Sequence, residues 1–478
     1  MNRLSLFILF ISVSLLVNGE NIVDEFINSS AMKDAVAGIS VVNLSNGEIV
    51  ECYNESLPLV PASTLKLLVT ASALKCYPFD KTFETVVSYC GEIKGDSLIG
   101  DIYVTGCGDP TLGSTYGKQR HDAIFSGIVN VLRVNGIRDI SGRIVADDSN
   151  FSYQGVSPTW MMEDIGNYFA AGSYGINFCD NRYSLLLRTD KDGKKPVIIG
   201  CNPLIPDVKF TNYLTTKGDG NGSAYITGIP FSDCRILSGY VPHGRERYVI
   251  KGDIPDPAMF FADTLKEYLR KNGVKCFGGA TTVRLLLLSE KPICKGLKHL
   301  YSHKSDKLAD IINVTNNISN NMYAETLLRW VALAKGKEAS ADGGIAAVKE
   351  IWRETGADLS GIWMYDGNGL SPKNRISPEK LSEILSAAAN DKSVAAYFSA
   401  SIPQTAKEGT VRNFMTGSPI AHKLRLKSGS MEGVQCYAGY FYGKESYAVV
   451  VMVNGFTANR SDVQRVIEHL LYGIFKNR

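Results

Sequence analysis

The chain has 478 residues and a nearly balanced charge, with 51 Lys and Arg against 48 Asp and Glu and a formal net charge of +3. This balance gives no electrostatic reason to expect nucleic acid or a strongly acidic surface as a partner. The length is ample for a large hydrophobic core and corresponds to roughly three domains.

The first segment has the pattern of a secretory signal peptide. Arg3 precedes an uncharged, mainly apolar run over residues 4–17, and Val17-Asn18-Gly19 fits a cleavage site. The run is too short to span a membrane, and no later segment is long and apolar enough to do so. We expect residues 1–19 to be removed and the mature protein to be exported to the periplasm, with at most peripheral membrane contact.

After this segment we expect a helix over residues 21–36 and then a β-hairpin. The hairpin strands, at residues 38–44 and 48–53, are joined through Ser45-Asn46-Gly47. An Asn-Gly pair between two apolar runs is a strong hairpin signal.

The next stretch combines an apolar helix with a reactive pair. Pro61 and Ser63 stand where a helix would begin, and the residues after them are rich in Leu and Ala and nearly uncharged. This pattern predicts a buried helix with a hydroxyl in its first turn. Residues three apart in a helix are neighbours, so the Lys66 amine can reach the Ser63 hydroxyl. The spacing places a base beside a potential nucleophile.

Ser-x-x-Lys alone is not specific, because it recurs at Ser72/Lys75 and Ser377/Lys380. Two further motifs follow Ser63 in order, each present once: Ser319-Asn320-Asn321 and Lys427-Ser428-Gly429. This order is the signature of penicillin-binding proteins and serine β-lactamases.

The interval of 256 residues between Ser63 and Ser319 is too long for a loop. From about residue 81 to 288 the chain has short β-like runs punctuated by Gly and Asp, at 82–88, 97–105, 183–187 and 281–288. We expect one or two β-rich domains there, inserted into a discontinuous catalytic domain of residues 20–80 and 289–478.

The C-terminal part again has the pattern of helices and apolar strands predicted for residues 20–80. A helix is expected over residues 322–334, and two apolar strands over 434–442 and 446–454 follow the third motif. A last helix with one apolar face, which we expect to pack on the sheet, ends the chain. That face carries Val463, Val466, Ile467, Leu470, Leu471 and Ile474.

The three motifs, the long insertion, Gly-Cys-Gly-Asp-Pro-Thr-Leu at 106–112 and Asp-Gly-Asn-Gly-Leu-Ser at 366–371 together resemble the class C low-molecular-mass penicillin-binding proteins, which are D-alanyl-D-alanine carboxypeptidase/endopeptidases. The resemblance implies an α+β, transpeptidase/β-lactamase-like domain with a five-stranded antiparallel sheet and a helical cluster, interrupted by two further domains. It also implies action on peptidoglycan stem peptides and acylation by β-lactam antibiotics.

The resemblance assigns Ser63 as the nucleophile and Lys66 as its base. A lysine with a pKa near 10.4 must lose about 3 pKa units to act near pH 7, and burial and the nearby Lys427 would supply this shift. Ser319 would relay a proton to the leaving amine. Asn321 would hold both Lys66 and the substrate backbone.

The resemblance also assigns the substrate-binding strand. Lys427 and Ser428 would engage the terminal carboxylate of the substrate, and Gly429 would let the substrate lie against the strand. The backbone amides of Ser63 and Ser430 would form the oxyanion hole, where one donor is typically worth about 10²–10³ in rate.

Asp164 resembles the acid of the inserted region that contacts the amino group of a diaminopimelate side chain. Glu163 is a rival, and a capping role for Asp164 is an equal alternative. Asp109 and Asp366 lie in Gly- and Pro-rich surroundings that favour tight turns. Ser173, in an imperfect G-x-S-x-G pattern, is interpreted as a turn residue.

The cysteines and histidines indicate neither a metal nor another cofactor. Ten cysteines are scattered without a C-x-x-C motif, so we expect mostly buried free thiols or isolated bridges. His299 and His303 form a possible ligand pair, but no glutamate completes a zinc-protease pattern and the intervening residues fit a strand or loop.

Two other functions remain open. A serine β-lactamase would share the acylation step, but the long insertion and the lack of an identifiable general-base Glu argue against it. A non-hydrolytic cell-wall binding protein or β-lactam sensor would retain the acylation residues, although a sensor normally needs a membrane span.

Overall fold

The structure is a computed structural model that describes residues 21–218 and 220–478, so the expected signal peptide lies outside the described residues. The helices are α1 (Ile22–Ile27), α2 (Lys66–Cys76), α3 (Ala123–Val134), α4 (Pro257–Lys271), α5 (Val283–Leu288), α6 (Leu308–Asn317), α7 (Asn321–Ala334), α8 (Ala341–Glu354), α9 (Pro378–Asn390), α10 (Ala395–Ser401) and α11 (Arg460–Phe475). The strands are β1 (Val36–Asn43), β2 (Ile49–Tyr53), β3 (Glu84–Lys94), β4 (Ser97–Thr105), β5 (Asp139–Ile140), β6 (Ile144–Asp147), β7 (Arg182–Thr189), β8 (Val197–Asn202), β9 (Lys209–Asn212), β10 (Thr215–Thr216), β11 (Ser223–Thr227), β12 (Cys234–Val241), β13 (Arg245–Asp253), β14 (Lys275–Cys276), β15 (Ala280–Thr282), β16 (Lys298–Lys304), β17 (Leu424–Met431), β18 (Val434–Tyr442) and β19 (Ser446–Asn454).

The two ends of the chain form one five-stranded antiparallel sheet in the order β17-β18-β19-β1-β2. Strand β19 pairs with β1 along its whole length, from Val36 opposite Asn454 to Asn43 opposite Tyr447. The strands β18 and β19 have the predicted bounds. Nearly every residue of both is buried, as a strand covered on two faces requires.

Helices cover both faces of this sheet. One face packs on a cluster that includes α2, α7, α8 and α9, with Trp330 and Trp352 fully buried. The opposite face packs on α1 and α11, so the predicted docking of the last helix is confirmed. The predicted helix over residues 21–36 is wrong beyond Ile27. A 3₁₀ turn at Ser30–Met32 follows, and the chain enters β1 at Val36, where pairing with β19 satisfies its backbone.

The interval between the first two motifs is β-rich, as predicted. A seven-stranded sheet has β3 and β4 antiparallel at its centre, with β16 on β3 and with β5 and β6 parallel to β4. Two smaller sheets contain β9 to β12 and β7, β8 and β13. The predicted strand at 281–288 is wrong beyond Thr282. Its side chain accepts from the amide of Leu285 and starts α5 instead.

The cysteines form one bridge, between Cys90 on β3 and Cys294 ahead of β16, and the other eight are free. An isolated bridge and free thiols are present as expected, but only Cys179 and Cys436 are buried; four other free thiols are partly buried, and Cys52 and Cys234 are exposed. In the described part of the chain, no group of three or more His, Cys, Asp or Glu is placed to hold a metal ion. None of the helices within residues 21–218 and 220–478 is long and apolar enough to cross a membrane.

Candidate active site

Ser63 and Lys66 lie at the start of the most buried helix of the cluster. A 3₁₀ turn, Ala62–Leu65, carries Ser63 and continues into α2. Lys66 Nζ lies 2.8 Å from Ser63 Oγ, the contact that the Ser-x-x-Lys spacing predicts. Ala62 has a φ of +46°, a conformation that non-glycine residues adopt at an energetic cost and that recurs at functional sites.

The Ser72/Lys75 and Ser377/Lys380 pairs have structural partners. Ser72 donates to the Leu68 carbonyl and accepts from the Trp352 indole, while Lys75 pairs with Asp391. Ser377 caps α9 through the amide of Lys380. Neither pair brings its amine to its hydroxyl, so Ser63 with Lys66 remains the candidate.

Burial decides the protonation of Lys66. It lowers the pKa of the fully buried amine to about 7, against the carboxylates of Asp366 and Glu325, which raise it. The pKa of Lys427 is held well below its usual range, first by burial and then by the charge of Lys66. The required shift is present and is supplied by burial rather than by Lys427, so neutral Lys66 is available near pH 7 to accept a proton from Ser63.

The second and third motifs meet beside this pair. Lys427 Nζ, on β17, donates to Ser319 Oγ at 2.9 Å and to the Ser428 carbonyl at 2.7 Å. Ser319 precedes α7 with a φ of +64°, and Asn320 caps that helix through the amide of Tyr323. The helix confirms the predicted element at 322–334, starting one residue earlier.

Strand β17 lies directly against the turn that carries Ser63. A Cβ on Gly429 would lie 2.6 Å from the Pro61 carbonyl oxygen and 3.0 Å from the Ser63 amide nitrogen. Because only a residue without a side chain permits this approach, Gly429 lets the strand lie against Ser63. Residues from three distant parts of the chain therefore line one cleft.

The Asn321 side chain does not contact Lys66. Asn321 Nδ2 donates to the Phe169 carbonyl at 2.7 Å, whereas the second partner of Lys66 Nζ is the Asn368 carbonyl at 2.5 Å. The expected bond from Asn321 to Lys66 is therefore corrected, and Asn321 instead joins α7 to the inserted region.

The remaining residues of the third motif face the open side of the cleft. Ser428 Oγ donates to Thr410 Oγ1 at 2.7 Å in an exposed contact. Ser430 Oγ donates to Gln435 Oε1 on the paired strand β18 at 2.8 Å. Thr410 was not identified from the sequence, because no local pattern connects it to Ser428.

Asp164 lies in a turn of the inserted region. Burial, followed by the charge of Glu163, raises the pKa of its half-buried carboxyl. The turn is capped by another side chain than that of Asp164. Asn167 Nδ2 donates to the carbonyl oxygens of Glu163 and Asp164. Trp160, at the start of the turn, donates to Asp366 Oδ2 at 2.8 Å and fixes the turn to the segment 366–371.

The other acidic and serine candidates are structural. Asp109 accepts from the amide and hydroxyl of Thr111, and Asp366 accepts the amides of Gly369 and Ser371, as expected of turn residues. Ser173 is fully buried and bonds to the Thr326 hydroxyl.

A crevice of about 90 Å³ opens beside the second motif. Its lining includes Tyr116, Tyr168, Phe169, Arg182, Ser319 and Asn321. The inserted region therefore supplies one wall of the space next to the catalytic residues.

Glu325 is a buried carboxylate near Lys66 that the sequence reasoning missed. Its Oε1 accepts from the amides of Gly367 and Asn368, and its Oε2 pairs with Arg329 at 3.0 Å. The available signal was its spacing, since a residue four positions after Asn321 lies on the same side of α7.

Comparisons with known proteins agree with this geometry. The model of the D-Ala-D-Ala carboxypeptidase 3 (S13) family matches residues 20–473. A D-alanyl-D-alanine carboxypeptidase of Actinomadura sp. is 25% identical over 445 residues, which cover 90% of this chain and 80% of the relative. The D-alanyl-D-alanine carboxypeptidase DacB of Haemophilus influenzae is 26% identical over 438 residues, covering 88% and 85%.

Solved structures show the same fold. The crystal structure of penicillin binding protein 4 (dacB) from Haemophilus influenzae matches with a TM-score of 0.81 at 23% identity, over 95% of this chain and 98% of that one. A crystal structure of the same protein complexed with a β-lactam matches with a TM-score of 0.74 at 22% identity, over 92% and 96%. The predicted α+β fold, a transpeptidase-like sheet with additional domains, is therefore confirmed.

Proposed function

Because the chain belongs to the D-Ala-D-Ala carboxypeptidase 3 (S13) family, we propose that it cleaves the terminal D-alanyl-D-alanine bond of peptidoglycan stem peptides through an acyl-enzyme on Ser63. The observation that carries this proposal is the 2.8 Å contact between Lys66 Nζ and Ser63 Oγ, combined with the depressed pKa of Lys66. A hydroxyl beside a buried amine that is neutral near pH 7 is an activated nucleophile.

In the first step, Lys66 accepts the proton of Ser63 while the Ser63 oxygen attacks the carbonyl carbon of the scissile bond. The amides of Ser63 and Ser430 stabilise the resulting oxyanion. As the bond to the nitrogen of the leaving D-alanine breaks, the proton taken up by Lys66 is relayed to that nitrogen through the Ser319 hydroxyl, which Lys427 holds at 2.9 Å, and Lys66 becomes neutral again. Water then releases the shortened peptide and frees Ser63.

Substrate binding uses the open part of the cleft. Lys427 and Ser428 hold the terminal carboxylate of the peptide, and Gly429 lets the peptide run along β17. Asn321 binds the substrate backbone, and Asp164 meets the amino group of a diaminopimelate side chain. β-Lactams acylate the same serine, a proposal supported by the β-lactam complex of the Haemophilus influenzae protein.

The domain division and location are part of the proposal. The transpeptidase-like domain, expected over residues 20–80 and 289–478, comprises residues 20–80 and the chain after Lys304, supported by the shared sheet of β1, β2 and β17 to β19. The insertion begins near residue 81, and the pairing of β16 with β3 favours an end beyond Lys304 rather than at residue 288. The protein is exported to the periplasm, where its peptidoglycan substrate lies.

D-alanine release from a stem pentapeptide tests the activity, with Ser63→Ala as the inactive control. We expect release by the mature wild-type protein together with a long-lived penicillin adduct. A stable adduct without release would favour a β-lactam sensor. Rapid loss of the adduct with hydrolysis of the drug would favour a β-lactamase, and either result would overturn the peptidase assignment.

A further inference from the structure

A backbone carbonyl of the segment 366–371 contacts the amine of Lys66. The Asn368 carbonyl oxygen lies 2.5 Å from Lys66 Nζ. A neutral amine has two N–H groups and one lone pair. When one N–H is held by a carbonyl, the rotation of the amine is restricted and its lone pair can face Ser63, which lies 2.8 Å away.

Glu325 fixes the position of that carbonyl. The side chain of Glu325 is buried, with 2% of its surface exposed, and its Oε1 accepts from the amides of Gly367 at 2.7 Å and Asn368 at 3.0 Å. Arg329, one helical turn later, pairs with Oε2 and prevents the carboxylate from rotating. Helix α7 thereby holds the peptide unit that contacts Lys66.

Asp366 fixes the rest of the same segment. Its fully buried carboxylate accepts from the Gly369 and Ser371 amides, the Asn374 side chain and the Trp160 indole, at 2.6–2.9 Å. Gly369, with a φ of +82°, lies so close to the Ala62 carbonyl that a Cβ there would be 2.0 Å from its oxygen. The segment is thus held against the turn that carries Ser63.

We propose that Glu325 and Asp366 are positioning residues for the general base: they hold residues 366–371 so that the Asn368 carbonyl orients the Lys66 amine towards Ser63. This inference rests on the proposed acylation of Ser63. Neither carboxylate touches the substrate in this role. Their effect reaches the reaction through the amine alone.

The charges around Lys66 set the sign of the expected pH effect. Glu325 and Asp366 raise its pKa, and Arg329 neutralises part of Glu325. The pKa of the Lys427 amine on β17 is itself held well below its usual range by burial and by Lys66. Removing the charge of Glu325 also leaves Arg329 without its carboxylate partner. Both changes disfavour protonated Lys66, so the pH at which acylation is half-maximal must fall.

The test is Glu325→Gln in the full mature chain, with benzylpenicillin as the probe. The acylation rate constant at saturating drug and the dissociation constant of the non-covalent complex are measured from pH 5 to 9. We expect the maximal rate constant to fall by about 10- to 100-fold, as a small displacement of a catalytic group does. The acid limb of the pH–rate profile, where the acylation rate constant falls with decreasing pH, moves to lower pH. The dissociation constant changes less than twofold.

Asp253→Asn is the matched control. Asp253 lies on β13, and its buried carboxylate pairs with Arg235 of β12 at 2.9 Å. This variant should lower the unfolding temperature without moving the acid limb. An unmoved limb in folded Glu325→Gln, or an unchanged rate constant, would overturn the proposal.

Trp160→Phe is the second variant, because it removes one hydrogen bond to Asp366 and no charge. A several-fold slower acylation with an unmoved limb supports the proposal, and wild-type kinetics contradict it. Absence of acylation in the wild-type protein would instead refute the proposed function, so the two failures are distinguishable.

Discussion

Lys66 is an ionisable residue in a helix whose other residues are almost all apolar or small. Each residue from Lys66 to Leu74 is buried, and burial of an amine favours its neutral form. A buried lysine is costly for stability because its charged form loses hydration. In the proposed mechanism this cost serves function, because only the neutral amine can accept a proton from Ser63.

The pKa of about 7 for Lys66 predicts the pH dependence of acylation. Below this pH the amine is protonated and cannot act as a base, so the rate constant for acylation should fall about tenfold per pH unit. Above it the rate should level off. Stopped-flow measurement with a chromogenic β-lactam from pH 5 to 9 tests this, and a rate that is flat below pH 7 would exclude Lys66 as the base.

Lys66→Arg should abolish this reaction, because a guanidinium stays charged throughout this pH range. We expect a loss of at least about 100-fold in the acylation rate constant. Lys75→Arg is the matched control, since Lys75 lies on the same helix and pairs with Asp391. Equal losses in both variants would point to damage to α2 rather than to the base.

Residue-level prediction succeeded where the chemistry follows from local spacing and failed where it depends on distant contacts. Ser63 and Lys66 are three residues apart in one helical segment, so their contact follows from helix geometry. The Asn368 carbonyl is 302 residues from Lys66 and is a backbone group, which no side-chain pattern reveals. Asn321 was placed correctly on α7, but its partner is a carbonyl of the inserted region.

The approach of β17 to the Ser63 turn is the main contact between elements in the site. Gly429→Ala should separate them, because the new methyl group would meet the backbone of Pro61 and Ser63. We expect acylation to slow by at least about tenfold, the effect of misplacing reacting groups. Far-ultraviolet circular dichroism should stay unchanged.

Gly296→Ala is the control for this variant, since a Cβ at Gly296 meets nothing within 4 Å. It should acylate at the wild-type rate. Wild-type kinetics in Gly429→Ala would show that the strand does not need this close approach.

Helices and strands could be predicted from the sequence where a single residue pattern dominates the segment. Strands β18 and β19 are nearly continuous apolar runs buried on both faces, so their bounds follow from composition. The run Val283–Leu288 is equally apolar but forms α5, because Thr282 supplies a helix cap after β15. Short apolar runs do not distinguish a strand from a helix, and the cap decides between them.

At the scale of the whole molecule, a long insertion separates the Ser63 helix from the other two motifs, yet β19 and β1 join the chain ends in one sheet. The insertion is internally fastened by the bridge from Cys90 to Cys294, which spans 204 residues of sequence. A crosslink across such a long segment restricts the unfolded chain and typically contributes about 2–4 kcal/mol.

Replacing both bridged cysteines by serine should therefore lower the unfolding temperature while leaving the acylation rate constant unchanged, because the bridge does not contact the active site residues. Cys52→Ser with Cys234→Ser is the control, since both thiols are exposed and free. Calorimetry and penicillin kinetics measure the two effects. A loss of acylation in the bridge variant would show that the inserted sheet positions the site.

The central claim is that Ser63 is the acylated residue, selected by the convergence of three distant motifs. Its most direct measurement is peptide mapping by mass spectrometry of the mature protein after reaction with benzylpenicillin. We expect one penicilloyl group, on the peptide containing Ser63, and none in Ser63→Ala. A label on Ser72 or Ser377, or an unlabelled wild-type protein, would contradict the claim.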